Sequence, residues 1–272
     1  MARELPSNNR PLIMGILNVT PDSFFDGGRY DSENRAVEQA LALISDGADI
    51  IDVGGESTRP NADSVSVEEE LARVVPVIGK IREHSDVFIS VDTYKSEVAR
   101  EACRAGADMI NDISGLTFDA DMALLAGRLG AYVVIMHIKG TPKDMQKDPH
   151  YDDVVFEIND FFARQIETAT KSGVREEHII LDPGIGFGKR VEDNLRILKR
   201  LGEFKKLGRP VLVGASMKSF IGAVTGAPVD MRAYGTLAAV AVSLMNGADI
   251  VRVHDVKKTR EVLQIVEAVM TS

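Results

Sequence analysis

The stretch "DGADIIDVGG" (46–55) decides the fold, because it returns as "AGADMINDIS" (105–114) and again as "NGADIVRVHD" (246–255). Each copy is Gly-Ala-Asp running into a short apolar strand. The glycine closes the preceding helix, a common C-terminal cap, and the small residue lets the chain turn back. An echo of this kind reports a repeated helix–strand unit and carries no chemistry by itself.

Outward from these copies, the chain alternates apolar strands with helical spacing. Strands are expected at 11–17, 49–55, 87–92, 108–113, 131–137, 178–184, 210–216 and 249–255. Helices are expected at 33–47, 67–83, 95–105, 120–129, 152–172, 191–203, in stretches up to 247, and at 257–270. The strands are too continuously apolar to be half exposed, as in a parallel sheet covered on both faces. Eight strand–helix units in about 250 residues is the arithmetic of a (β/α)8 TIM barrel. A doubly wound open sheet, the alternative, usually has fewer strands. Without a linker or low-complexity run, residues 1–272 read as one domain.

Composition narrows the function classes. Hydrophobic residues make up 44% of the 272 and charged residues 27%, enough for a large core under a soluble surface. The single cysteine, Cys103, excludes an intrachain disulfide and reads as a small core residue. The net charge of −9, with no basic cluster outweighing its acidic neighbours, argues against nucleic acid. No apolar run reaches membrane-spanning length, and "MARELPSNNR" lacks a signal-peptide core, so a cytoplasmic protein is expected.

In such a barrel the site forms at the C-terminal strand ends. The residues there are Asn18; Asp52, Glu56, Thr58 and Arg59; Asp92; Asn111 and Asp112; Met136 and His137; Asp182; Ser216, Lys218 and Ser219; and Arg252, His254 and Asp255. Asp92, Asn111, Asp182 and Lys218 come from four strands and suit a ligand rich in N–H donors that also offers acceptors, such as an aminopyrimidinone edge. One such Asp alone is as often a helix cap or loop brace; four at one rim favour binding. Arg59, Arg252, His254 and Asn18 suit a phosphate group and a hard cation such as Mg²⁺. The bland reading of Arg252 and His254 is an ion pair with Asp52 or Asp255. In "GASMKSFIG" (214–222), free N–H groups opening a helix attract an anion, a carboxylate included. "PGIGFGK" (183–189) lacks phosphate-loop spacing and reads as a tight turn presenting Phe187. Neither a zinc cluster nor a Gly-x-Ser-x-Gly nucleophile is present.

"LNVTPDSFFDGG", "DVGGESTRP", "SVDTYK", "NDISG", "MHIKGTPKDMQ", "LDPGIGFGK", "GASMKS" and "VRVHDV" resemble, in order and spacing, the bacterial-type dihydropteroate synthases, from about Pro11 to Glu267. The resemblance implies a folate-pathway transferase that condenses 6-hydroxymethyl-7,8-dihydropterin diphosphate with 4-aminobenzoate. It implies Mg²⁺ dependence, a homodimer and sensitivity to sulfonamides. It assigns Asp92, Asn111, Ile113, Met136, Asp182, Phe187 and Lys218 to the pterin, and Asn18, Arg59, Arg252 and His254 to the diphosphate, with Asn18 near the metal. Thr58, Pro60, Phe187, Lys218 and Ser219 surround the aminobenzoate. Asp92, Asp182, Lys218 and Arg252 are the residues expected to carry catalysis.

The chain departs from the family pattern twice. Met217 stands where an arginine is usual, and Phe25 follows Phe24 where a serine is common. Two rivals remain at this stage. A methyltetrahydrofolate–corrinoid methyltransferase would share the barrel and the Asp/Asn set but would not need Thr58, Arg59, Arg252 and His254. A catalytically idle pterin-binding paralogue finds support only in Met217.

Overall fold

The computed structural model describes residues 3–6, 10–20, 29–57 and 64–272. Its strands are β1 (Leu12–Asn18), β2 (Ile50–Gly54), β3 (Phe88–Asp92), β4 (Met109–Asp112), β5 (Tyr132–Met136), β6 (Ile179–Asp182), β7 (Leu212–Val213) and β8 (Ile250–Val253). Its helices are α1 (Arg29–Ser45), α2 (Val67–His84), α3 (Ser96–Ala105), α4 (Met122–Leu129), α5 (Val154–Lys171), α6 (Val191–Lys199), α7 (Ser219–Thr225), α8 (Ala233–Met245) and α9 (Val256–Thr271). The strands run parallel in the order β6-β5-β4-β3-β2-β1-β8-β7. Leu181 of β6 bridges Val211, just ahead of β7, and its N–H donates to the Pro210 carbonyl at 2.9 Å. That bridge closes the ring into a (β/α)8 TIM barrel. Among the described residues no helix is long and apolar enough to cross a membrane.

The repeated Gly-Ala-Asp has a structural job at three places. Gly47, Gly106 and Gly247 take φ of 102°, 122° and 100°, which turns the chain out of its helix. The aspartate that follows then brackets the neighbouring strand. Asp49 donates its N–H to the Ile13 carbonyl at 2.9 Å and accepts the Ile13 N–H on its carboxylate at 2.9 Å. Asp108 does the same to Ile89, at 2.8 and 3.1 Å, and Asp249 to Val211, at 2.8 and 2.7 Å. Each carboxylate is also paired with a cation: Asp49 with Arg10 and Arg260, Asp108 with Arg82, and Asp249 with Lys205. The motif therefore sets strand register at the lower rim.

Side chains alternate across each strand. Ile51, Val53, Ile89, Val91, Val133, Ile135, Val251 and Val253 face the helices and join the main core. The other face points into the barrel. Low in the barrel that face is apolar, with Ile50, Phe88, Met109, Tyr132, Ile180 and Ile250 in a separate cluster. Two residues further along the same strands, and four in the case of Asp92, it becomes Asp52, Ser90, Asp92, Asn111, Asp182 and Arg252. The barrel is thus plugged below and polar above, which gathers the buried polar side chains at the upper rim.

The helix expected at 33–47 runs from Arg29 to Ser45, and two further elements differ from expectation for a visible reason. The strand expected at 210–216 is only Leu212–Val213. Pro210 has no N–H to give, and the Val211 N–H goes to the Asp249 carboxylate, so the ladder starts late. The helix expected at 191–203 stops at Lys199, and a 3₁₀ segment, Leu201–Leu207, follows. Leu198, Leu201, Phe204 and Leu207 are spaced strictly by three, a period that stacks on a 3₁₀ helix and would drift around an α-helix.

Candidate active site

Arg252 of β8 is the hub of the upper barrel. Its Nε donates to Asp52 at 2.6 Å and an Nη2 to Asp92 at 2.6 Å. Asn111 Nδ2 donates to the same Asp52 oxygen at 3.0 Å, so the amide oxygen of Asn111 is turned away from Asp52. One oxygen of Asp52, one of Asp92 and the Ser90 hydroxyl are buried without a protein partner. Buried polar atoms left unpaired are costly in an interior, so a ligand with matching donors gains from filling them.

The electrostatics follow from two buried carboxylates sharing one guanidinium. Burial pushes Asp92 up to about 7; Arg252 opposes the rise and the Asp52 charge adds to it. Burial likewise pushes Asp182 up to about 6, against the Gly184 N–H, which donates to it at 2.7 Å, and the nearby Lys218. Burial works against the Arg252 cation, but Asp52 and Asp92 outweigh it and hold its pKa above the ordinary value. The site therefore favours N–H donors over acceptors.

Beside these groups, Ile113, Met136, Met145 and Phe187 form a small apolar cluster apart from the main core, with Tyr94 and Ile138 against it. Met136 lies in register with Asp182. Lys218 holds its ammonium 4.0 Å from the centroid of the Phe187 ring, a cation–π contact. The turn that carries Phe187 has Gly184, Gly186 and Gly188 at φ of 68°, 84° and 63°. A Cβ at Gly184 would lie 2.0 Å from the His137 carbonyl oxygen. Gly184→Ala is therefore expected to cost about 2–5 kcal/mol of stability, strain and clash together. Thermal unfolding checks it, and an unchanged Tm would mean that the turn can move aside.

On the other side of β8, the Ser216 hydroxyl and His254 Nδ1 meet at 2.9 Å. They face a groove of about 600 Å³ that also contains Met217, Val229, Ala233 and Thr236. Met217 has φ of 60°, unusual for a side chain of its kind. Its N–H donates to Thr236 Oγ1 at 3.0 Å, and Arg232 donates to its carbonyl at 3.2 Å, which holds the conformation. Ser219 is exposed at the start of α7, and Asn18 ends β1 half-buried. Thr58, Arg59 and Pro60, and Phe25 with its loop, lie outside the described residues.

Asp92, Asn111, Asp182, Arg252 and Asp52 thus share the upper barrel, with Lys218, Phe187, Met136 and Ile113 alongside. Other strand-end residues are structural. Asp112 braces its own loop by accepting from Ser114 and Leu116. Asp255 caps α9 by accepting the Lys258 N–H. Glu56 accepts from Tyr94 and Lys95. Sequence reasoning treated Asp52 only as a possible partner of Arg252, and it missed Met145 and the burial of Lys189. Met145 carries no periodic signal, because it lies nine residues past β5 in irregular chain.

The fold and the site together define a barrel enzyme whose pocket offers buried carboxylates, an amide and cations to a small polar ring. The family model described as "Pterin binding enzyme" matches residues 14–254. A dihydropteroate synthase from Synechocystis is 48% identical over 95% of this chain and 90% of its own length. The Yersinia pestis dihydropteroate synthase, solved with a sulfonamide drug complex, superposes with a TM-score of 0.94 at 45% identity, covering 100% of this chain and 99% of that one. The Xanthomonas albilineans dihydropteroate synthase, solved with 4-aminobenzoic acid, gives 0.91 at 44% identity, covering 97% and 94%. The chain belongs to the dihydropteroate synthase family of transferases.

Proposed function

We propose that this chain condenses 6-hydroxymethyl-7,8-dihydropterin diphosphate with 4-aminobenzoate, yielding 7,8-dihydropteroate and pyrophosphate. The observation that carries the reading is the convergence of Asp92, Asn111 and Asp182 around Arg252, beside Lys218 on Phe187. The carboxylates accept the pterin N–H groups, and Lys218 donates to its acceptor edge. Met136, Ile113 and Phe187 flank the flat ring. Arg252 and His254, with Arg59, take the diphosphate. Thr58, Pro60, Phe187, Lys218 and Ser219 surround the aminobenzoate.

The bond between the pterin methylene and the diphosphate oxygen breaks first, or nearly so, with its electron pair leaving on pyrophosphate. Arg252 and His254 offset the charge that develops there. Asp92 and Asp182 set a negative potential against the methylene cation. The aminobenzoate nitrogen then forms the new C–N bond and releases a proton. No covalent enzyme intermediate is involved, and a trapped adduct would exclude this course. Among the described residues no group of three or more His, Cys, Asp or Glu is placed to hold a metal. Asn18, which ends β1 half-buried, offers a neutral amide oxygen that would suit a Mg²⁺ ion arriving with phosphate oxygens. When bound, such an ion would neutralise leaving-group charge.

The protein is proposed to work in the cytoplasm as a homodimer. Exposed apolar side chains on and before α8, among them Val229, Met231, Tyr234 and Met245, support self-association.

The test is purified protein with both substrates and Mg²⁺, following pyrophosphate and dihydropteroate together. Matched formation of the two supports the reading. Pterin binding without turnover would mark a catalytically idle relative. Met217→Arg is expected to lower the aminobenzoate KM about two- to fivefold, the worth of one partly exposed charge pair, with the pterin KM unchanged. An unchanged or raised aminobenzoate KM would remove Met217 from that site.

A further inference from the structure

Lys189 closes the turn after β6, and its ammonium is buried inside the protein, with the residue 3% exposed. It donates to the Phe187 carbonyl at 2.9 Å and to the His137 carbonyl at 3.1 Å, and it meets His137 Nδ1 at 3.0 Å. These three contacts use all three N–H groups of an ammonium. All three partners are neutral, and none is a carboxylate. The arrangement ties the β6 turn to the end of β5, where the His137 N–H also donates to the Asp182 carbonyl at 2.9 Å. Next to it, the Tyr151 hydroxyl donates to the Gly188 carbonyl at 2.7 Å. A buried cation with no ion pair is expensive unless it serves a charge nearby.

We propose that Lys189 is a positioning residue for the reaction: its buried ammonium holds Phe187 where Lys218 caps it, and supplies the positive charge that keeps Asp182 ionised for the pterin. This role rests on the assignment of Asp182 and Lys218 to the pterin site.

The surrounding charges are few. Lys189 is faced by Asp182 of β6, Lys218 after β7, Asp193 of α6, and His137 and Lys139 after β5. Asp182 is faced by Lys218, Lys189 and Arg252. Burial brings Lys189 down to about 7, with Asp182 as the largest opposing influence, and burial with the Lys189 charge keeps His137 neutral. Burial raises Asp182 to about 6, and the Lys189 charge acts against that rise.

Without the Lys189 charge, the Asp182 pKa rises further, and the acid limb of kcat/KM for the pterin diphosphate moves to higher pH. In Lys189→Met, kcat/KM at pH 6 is expected to fall about fivefold further than at pH 8.5, as for an acid limb near 6 displaced by about 1 in pH. Lys189→Arg is expected to restore the wild-type limb. A loss of equal size at every pH would leave a merely structural lysine and overturn the proposal. Should Lys189→Met not fold, Lys189→Gln, neutral but still able to donate to a carbonyl, carries the same test. Asp182→Asn separates the two readings. If it leaves pterin binding intact, the site assignment falls, and the role of Lys189 with it. If it abolishes binding while the limb of Lys189→Met stays in place, only the role of Lys189 falls.

Discussion

Arg252→Gln is expected to lower turnover by about a thousandfold and to cost about 3–5 kcal/mol of stability near neutral pH. The catalytic loss follows from the role proposed for Arg252, offsetting the charge of the leaving group. The stability loss follows from what is left behind. Asp52 and Asp92 both give an oxygen to this one guanidinium at 2.6 Å, and each has a second oxygen buried without a partner. Deleting the cation leaves two buried carboxylates to repel each other. Asp92, already raised by burial, then loses the guanidinium that opposes the rise and holds its proton still more tightly in the folded state than in the unfolded one. For an acid raised in this way, stability is fully present below the unfolded value, about 4, and is lost as pH rises through the folded value. The gap in Tm between wild type and variant should therefore be small at pH 5 and large at pH 8. Thermal unfolding at the two pH values, with pyrophosphate release measured alongside, checks both parts. A variant that keeps wild-type turnover, or loses the same Tm at each pH, would contradict this account.

Asp92→Asn should move affinity and stability in opposite directions. Pterin affinity is expected to drop about a hundredfold, because a charged acceptor facing ligand N–H groups becomes a neutral amide. The free protein should become more stable at pH 8. Wild-type Asp92 is buried and raised to about 7, so its ionisation costs stability as pH climbs from about 4 to about 7. The amide avoids that cost, and Arg252 keeps Asp52 as its partner. Calorimetric titration with the pterin, set beside unfolding at pH 5 and pH 8, reads both effects. If affinity and stability fall together at both pH values, Asp92 is a structural residue. The expected pattern is that of a site whose binding groups are held at the expense of the fold.

The polar residues of the upper rim were more legible than their internal wiring. Asp92, Asn111, Asp182, Lys218 and Arg252 could be picked from the chain because a parallel barrel sends strand ends to one rim. What joins them could not. Arg252 and Asp52 are 200 residues apart, and no local pattern says that one guanidinium serves both Asp52 and Asp92. Lys189 looked like the tail of a glycine turn, yet three acceptors from two loops bury its charge. Asp112 sits at a strand end like Asp92 and Asp182, but its neighbours Ser114 and Leu116 claim its carboxylate first.

The amino-acid sequence alone determined the barrel, its eight strands, the rim that carries the chemistry and the family, because these depend on local periodicity and short motifs. Gly-Ala-Asp shows both limits. Its glycine was readable as a helix stop, since φ near 100° is a local property. Its aspartate, which brackets Ile13, Ile89 or Val211 on the next strand, was not, since that partner lies 19 to 38 residues away along the chain. Only the tertiary structure decided which carboxylates share a cation, which are spent bracing loops, and which polar atoms remain free for a ligand. Those outcomes depend on burial and on distances of about 3 Å between segments far apart in sequence, and burial sets the electrostatics of the site.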